Sequence, residues 1–223
     1  MCGMMPIPEL PKGLAFDSAV LDFSASAAQL IIYSYSMNMN KSTISEEYRK
    51  LQQELHQNPN YGIASLTFAP LVADVIRKHD IKSLSDYGAG KKNLLKGLAN
   101  EGVKIFAYSP YDPAFPEYGT PKPADLVCCI DVLEHIEPSL VDNVIEELAS
   151  ITTNLGFFTI HMGPAGKFLQ DGRNAHLIQK PSSWWLAKLV NHFDIIHLQT
   201  HQLMGNGFWI VVKPINKSKS GNN

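Results

Sequence analysis

The alternation of apolar and polar positions divides the chain into two unlike parts. Residues 1–41 hold no sustained period, because Pro6, Pro8, Pro11 and the Ser/Ala-rich stretch Ser24–Ala28 interrupt it. That pattern predicts a loosely ordered N-terminal extension. From Thr43 a helical period sets in. Thr43 and Glu46 stand at capping-box spacing, and Tyr48, Leu51 and Leu55 recur on one helix face. Asn58–Gly62 is turn-like, and a second helix is expected over Ser65–Lys78, with Pro70 early in it.

Beyond residue 80 strands and helices alternate. The pattern predicts strands over Ser83–Tyr87, Val103–Tyr108, Asp125–Ile130 and Gly156–His161. Helices are expected over Asn93–Asn100, Leu140–Ile151 and Ser182–Asn191, the last started by Pro181. Two further strands, Phe193–Gln199 and Gly207–Val212, are joined across Met204–Asn206. The unbroken apolar run DLVCCI is of the kind buried on both faces. This order predicts an α/β fold: a doubly wound, mostly parallel sheet with a C-terminal antiparallel strand pair and helices on both faces. The domain is expected to span residues 42–215, followed by a polar tail, 216–223.

Composition narrows the function classes. A length of 223 residues suits one domain with a sizeable core. Nineteen basic against twenty-one acidic side chains leave no positive field to gather polyanions, so nucleic acid is an unfavoured partner. No apolar stretch approaches the roughly 20 residues of a membrane span, so no membrane insertion is expected and the expected location is the cytoplasm. Cys2, Cys128 and Cys129 lack C-x-x-C spacing, and the adjacent pair reads as buried, inert strand cysteines.

The chemistry starts at Ser85-Asp86-Tyr87-Gly88-Ala89-Gly90-Lys91-Lys92, where a first strand should hand over to a helix. Gly88 permits a tight turn, Gly90 lets the backbone approach a ligand, and the following helix would point free N–H groups at it. Alone, such a turn is equally an ordinary strand-to-helix connection. Tyr111-Asp112-Pro113 follows the next strand, and a carboxylate there can accept from both hydroxyls of a ribose. Position 93 is Asn rather than a third glycine, and Asp86 precedes the first glycine by two residues. Both points argue against a nicotinamide dehydrogenase.

Asp86, Gly88 and Gly90 resemble the acid-x-Gly-x-Gly-x-Gly motif of class I S-adenosylmethionine-dependent methyltransferases, with Lys92 in place of the last glycine. The run Ala124–His135 resembles the D-L-V-x-x-x-D-V-L-E-H segment of methyltransferases related to the ubiquinone-biosynthesis O-methyltransferases. Together these likenesses cover roughly residues 60 to 213. The short stretch from Asp112 to Asp125 leaves little room for a third strand.

The resemblance implies a Rossmann-like fold and S-adenosyl-L-methionine as cofactor. It implies cofactor contacts from Tyr61, Asp86, Tyr87, Gly88, Ala89, Gly90, Asp112, Pro113, Ile130 and Asp131. Catalytic roles would fall to Glu134, His135 and His176, the last in the polar loop Asp171–Leu177. In related enzymes an acid-x-x-Glu-His group and a later histidine surround a divalent metal ion, which here implies Asp131, Glu134, His135 and His176. Asp131 is one methylene shorter than the usual Glu.

His161 is a competing candidate for which a structural role is preferred. Trp184 and Trp185 read as helix-packing residues, and Lys91, Lys92 and Lys96 as a solvated helix face. The expected reaction is O-methylation of a small-molecule or glycan-type acceptor. An RNA-terminus 2′-O-methyltransferase and a catalytically inactive binding module are the alternatives. Oligomeric state is not legible in the sequence.

Overall fold

The computed structural model of the chain describes residues 41–203 and 205–215. The expected N-terminal extension, as far as residue 40, and the polar tail lie outside the described residues. Six strands form one sheet in the order β2-β1-β3-β4-β6-β5. In chain order the elements are α1 (Glu46–His56), α2 (Ala64–His79), β1 (Ser83–Tyr87), α3 (Asn93–Asn100), β2 (Ala107–Tyr111) and β3 (Ala124–Ile130). Then come α4 (Val141–Ile151), β4 (Thr152–His161), α5 (Ser182–Leu189), β5 (Phe193–His201) and β6 (Gly207–Pro214). Strands β1 to β4 pair in parallel, and β6 runs antiparallel to both β4 and β5. This is the expected doubly wound sheet with its C-terminal antiparallel pair.

The pleat explains why residues 126–130 are apolar throughout. Val127 and Cys129 face one core with α4 and α5, alongside Phe158, Ile160, Phe208 and Ile210. Leu126, Cys128 and Ile130 face the other, against Phe68, Val72 and Ala73 of α2 and Leu94 and Leu98 of α3. Successive side chains of a strand point to opposite faces, so a central strand between two helical layers needs apolar residues at every position. Cys128 and Cys129 are both buried and free, as expected. Trp185 is wholly buried in the first core and Trp184 packs at its border, which makes both helix-packing residues.

Three local expectations need correction. The N-cap of α1 is Ser45, whose hydroxyl accepts the amide of Tyr48 at 3.2 Å, rather than Thr43 in a capping box. The second strand begins at Ala107 rather than Val103. Its parallel partner β1 starts at Ser83, opposite Ala107, so no ladder exists for residues 103–106. Val103 and Ile105 pack against the α2–α3 core from a loop, while Phe106 is 88% exposed. Pro70 stands inside α2, where it forgoes one ladder hydrogen bond; Phe68, Ala69, Val72, Ala73 and Ile76 hold the helix in place by burial.

Only a 3₁₀ turn, Pro116–Tyr118, lies between β2 and β3, so β2 is a sheet edge. Pro110 is tolerated there because an edge strand need not donate on its outer side. Among the described residues no helix is long and apolar enough to cross a membrane.

Candidate active site

The carboxyl ends of β1, β2 and β3 open into a cleft of about 310 Å³. Its floor is the glycine-rich turn. Gly88 has φ +78°, and a Cβ there would run into the side chain of Val132. Gly90 has φ +47° and donates its amide to Oδ2 of Asp112 at 2.9 Å, while Oδ1 accepts from Ala114 at 2.8 Å. Burial raises the pKa of Asp112, and the two amides oppose that shift. Each oxygen keeps a second lone pair for a ligand.

Of the residues expected to bind a cofactor, Tyr61, Tyr87, Gly88, Gly90, Asp112, Pro113, Ile130 and Asp131 line the cleft, whereas Asp86 and Ala89 do not. Asp86 lies behind the floor and accepts the Tyr108 hydroxyl at 2.5 Å. Its pKa rises to about 7 through burial, with a smaller contribution from the Asp112 charge. The amides of Gly88 and Ala89 are spent on the carbonyl of Tyr111, at 2.8 and 2.9 Å. No residue of α3 lines the cleft, so the expected row of helix N–H groups is not its floor.

Lys91 and Lys96 are not merely solvated. Lys91 donates to the carbonyls of Asn58 and Tyr61, and Lys96 to Asn93. The ammonium of Lys92 sits 4.3 Å from the Tyr118 ring centroid.

The far wall carries the expected histidines. Nδ1 of His135 lies 2.8 Å from the carbonyl of Ala175, and Nδ1 of His176 lies 2.7 Å from that of Gly163. A carbonyl only accepts, so each Nδ1 carries the proton and each Nε2 is left with its lone pair. The rings meet edge-on with centroids 4.7 Å apart. Burial, and then the neighbouring His176, pull the pKa of His135 down to about 3, and burial also lowers that of His176.

Glu134 is wholly buried behind them. Its Oε1 accepts the amide of His161 at 2.9 Å, Oε2 has no partner, and burial raises its pKa well above the usual range. Ligand atoms of Glu134, His135 and His176 all lie within 4.8 Å of one another. Asp131, the fourth expected ligand, is outside this group. Its Oδ1 accepts the Thr159 hydroxyl at 2.5 Å, and its φ of +50° turns the chain there. His161 also lines the cleft, with its ring centroid 4.7 Å from that of His176.

Helix α1 supplies what the sequence reading missed. Tyr48, Gln52 and His56 line the cleft at i, i+4, i+8 spacing, a polar stripe on one helix face. The Tyr48 hydroxyl donates to the carbonyl of His135 at 2.6 Å, and Gln52 donates to Tyr48 at 2.5 Å. Tyr61 donates to Gln52 at 3.3 Å. Gln52, the buried polar residue at the centre of the stripe, was the available signal.

No protein-family model matches the chain, and no curated protein matches it either. Solved structures do. A candidate O-methyltransferase from Nostoc punctiforme PCC 73102 is 14% identical with a TM-score of 0.47, over 67% of this chain and 56% of that one. This chain thus spans little more than half of that relative's length. The 1,6-didemethyltoxoflavin-N1-methyltransferase of Burkholderia thailandensis, crystallised with S-adenosylhomocysteine, is 14% identical with a TM-score of 0.52, over 78% of this chain and 92% of that one. The N-methyltransferase NodS of Bradyrhizobium japonicum WM9 is 10% identical with a TM-score of 0.49, over 77% and 100%. The likeness to the Burkholderia enzyme and the strand order give this chain the Rossmann-like fold of S-adenosylmethionine-dependent methyltransferases.

Proposed function

We propose that the chain is an S-adenosylmethionine-dependent methyltransferase that methylates a hydroxyl of a small-molecule or glycan-type acceptor. One observation carries this reading. The cleft that holds the Gly88–Gly90 turn and Asp112 also receives two neutral imidazoles, His135 and His176, with their Nε2 lone pairs uncommitted. Bound beside the turn, S-adenosylmethionine supplies a methyl group made electrophilic by its sulfonium. Asp112 holds the ribose, and Gly90 leaves room for the cofactor because no Cβ stands between His56 and Asp112. Ile44, Ile136 and Pro164 give the acceptor side an apolar wall that excludes water. Nε2 of His176 or His135 would take the proton that the acceptor hydroxyl gives up when it is methylated.

The same residues fit a divalent cation. Two imidazoles oriented by Nδ1–H···O=C bonds and a carboxylate with an unpartnered buried oxygen are the donor set that Zn²⁺, Mn²⁺ or Fe²⁺ takes. Such an ion would lower the pKa of an acceptor hydroxyl.

Calorimetry with S-adenosylhomocysteine, followed by transfer of labelled methyl to a panel of hydroxyl compounds, tests the reading. The wild type should bind and transfer, and His176→Ala should bind but transfer poorly. No binding of S-adenosylhomocysteine by the wild type would overturn it.

A further inference from the structure

His56, the last residue of α1, lies across the glycine-rich turn. Its ring meets the edges of Tyr61 and Phe115, with centroids 4.9 and 5.0 Å away and interplanar angles of 74° and 78°. A Cβ built on Gly90 would stand 3.0 Å from Cε1 of His56 and 4.0 Å from Oδ2 of Asp112. The imidazole and the Asp112 carboxylate therefore both approach the side of Gly90 where a Cβ would stand, and both line the cleft.

The ring is fixed on two sides by aromatic edges, yet its Nδ1 is buried with no hydrogen-bond partner. Leaving a buried polar atom unsatisfied is unfavourable, so such an atom at a cleft wall points to a group that the cleft admits. Burial, and then the charge of Lys91, lower the pKa of His56 to about 4. The ring is thus neutral near pH 7 and offers one N–H and one lone pair, which suits an uncharged hydroxyl or ring nitrogen better than a carboxylate.

We propose that His56 is a cofactor-binding residue that hydrogen-bonds the nucleoside portion of the ligand near Asp112. The inference rests on the reading of the cleft as an S-adenosylmethionine site. It gives α1 a part in ligand binding that the sheet's own loops do not supply.

Calorimetry on the full chain should use S-adenosylhomocysteine and 5′-methylthioadenosine, which share the nucleoside but not the amino-acid end. His56→Phe keeps an aromatic ring in the slot and removes both nitrogens. It should weaken both ligands by the same factor, about three- to tenfold, and His56→Gln should recover part of that loss. In the wild type, the ¹⁵N signal of His56 Nδ1 should move on addition of 5′-methylthioadenosine, a readout that needs no variant.

Unchanged affinities in His56→Phe with an unmoved ¹⁵N signal would make the ring a packing residue and overturn the proposal. A loss confined to S-adenosylhomocysteine would place the contact at the amino-acid end and overturn it too. A wild type that binds neither compound would overturn the reading of the cleft itself, before any variant is compared.

Discussion

Asp112 accepts the amide of Gly90 at 2.9 Å, so the acid at the end of β2 and the second glycine of the turn after β1 form one unit. The carboxylate fixes the turn while facing the cleft. Asp112→Ala should weaken S-adenosylhomocysteine by roughly 10- to 150-fold, the value of about 1.5–3 kcal/mol for hydrogen bonds to a charged group. It should also lower the melting temperature, because the amides of Gly90 and Ala114 lose their acceptor. Unchanged affinity by calorimetry would remove Asp112 from the ribose.

Gly88 is held in place by Val132, the residue that follows Asp131 at the end of β3. A methyl on Gly88 would overlap Cγ2 of Val132 and sit at a φ of +78°. Gly88→Ala should therefore destabilise the fold by about 1–3 kcal/mol. Gly88→Ala/Val132→Ala should relieve the overlap but not the backbone strain, so the double variant should cost less than the sum of the two singles. Additive losses in urea unfolding would show that the two side chains do not meet.

Lys92 explains what the last glycine of the motif does. It adopts φ +56° immediately before α3, the left-handed conformation that a glycine enters without strain. Lys92→Gly should be neutral or stabilising by up to about 1 kcal/mol, since relief of strain is offset by loss of the contact with Tyr118. Lys92→Val should cost about 1–2 kcal/mol, because a β-branched residue fits that conformation worst. A glycine variant less stable than the valine variant in denaturant unfolding would reject this account.

Where the chain's physics is local, the sequence is a good guide. The run Asp125–Ile130 announces a central strand because the pleat needs apolar residues on both faces, and each face has its own helical layer. Val103–Phe106 misleads for the converse reason. Its apolar residues serve packing from a loop, and strand pairing depends on where a distant partner begins, at Ser83. The histidine wall was legible through the Glu134-His135 pair and His176. Asp131 was misplaced from the metal-like group because Thr159, on the neighbouring strand, takes its carboxylate. The contribution of α1 was missed because Tyr48, Leu51 and Leu55 look like an apolar face, while the cleft is met by Tyr48, Gln52 and His56.

Asp86 makes stability depend on pH in a predictable direction. Its folded pKa is raised to about 7 by burial, against about 3.9 in an unfolded chain. Below pH 3.9 both states hold the proton, and this contribution to stability is fully present. Between pH 3.9 and 7 the unfolded state ionises first, so stability is lost as pH rises, by at most about 1.4 kcal/mol per pH unit. Asp86→Asn keeps an acceptor for the Tyr108 hydroxyl and cannot ionise. Its stability relative to the wild type should rise between pH 4 and 7 and then level off. A difference that is flat with pH in urea titrations would mean that Asp86 ionises at its ordinary value when folded.

A transition-metal ion at Glu134, His135 and His176 is the alternative to a metal-free base, and the two are separable by experiment. Each imidazole is oriented by a backbone carbonyl, that of Ala175 for His135 and that of Gly163 for His176, as metal-ligating histidines commonly are. The lowered pKa values keep both rings in the unprotonated form that ligates, whereas Glu134, whose pKa burial raises, would have to give up its proton to the ion. The buried Oε2 of Glu134 has no other partner to satisfy it, and a cation would supply one. A borderline ion such as Zn²⁺, Mn²⁺ or Fe²⁺ suits two nitrogens and a carboxylate oxygen better than Mg²⁺, which prefers an all-oxygen shell. Elemental analysis of protein purified without chelator should find about one such ion per chain, by the geometry of three ligands from a single site. Adding the ion to EDTA-treated protein should raise the melting temperature, since a ligand bound only by the folded state stabilises it. His176→Ala should abolish that rise. A wild type with no metal and no thermal response to any of the three ions would leave His135 and His176 as a metal-free acid–base pair, oriented by the same two carbonyls.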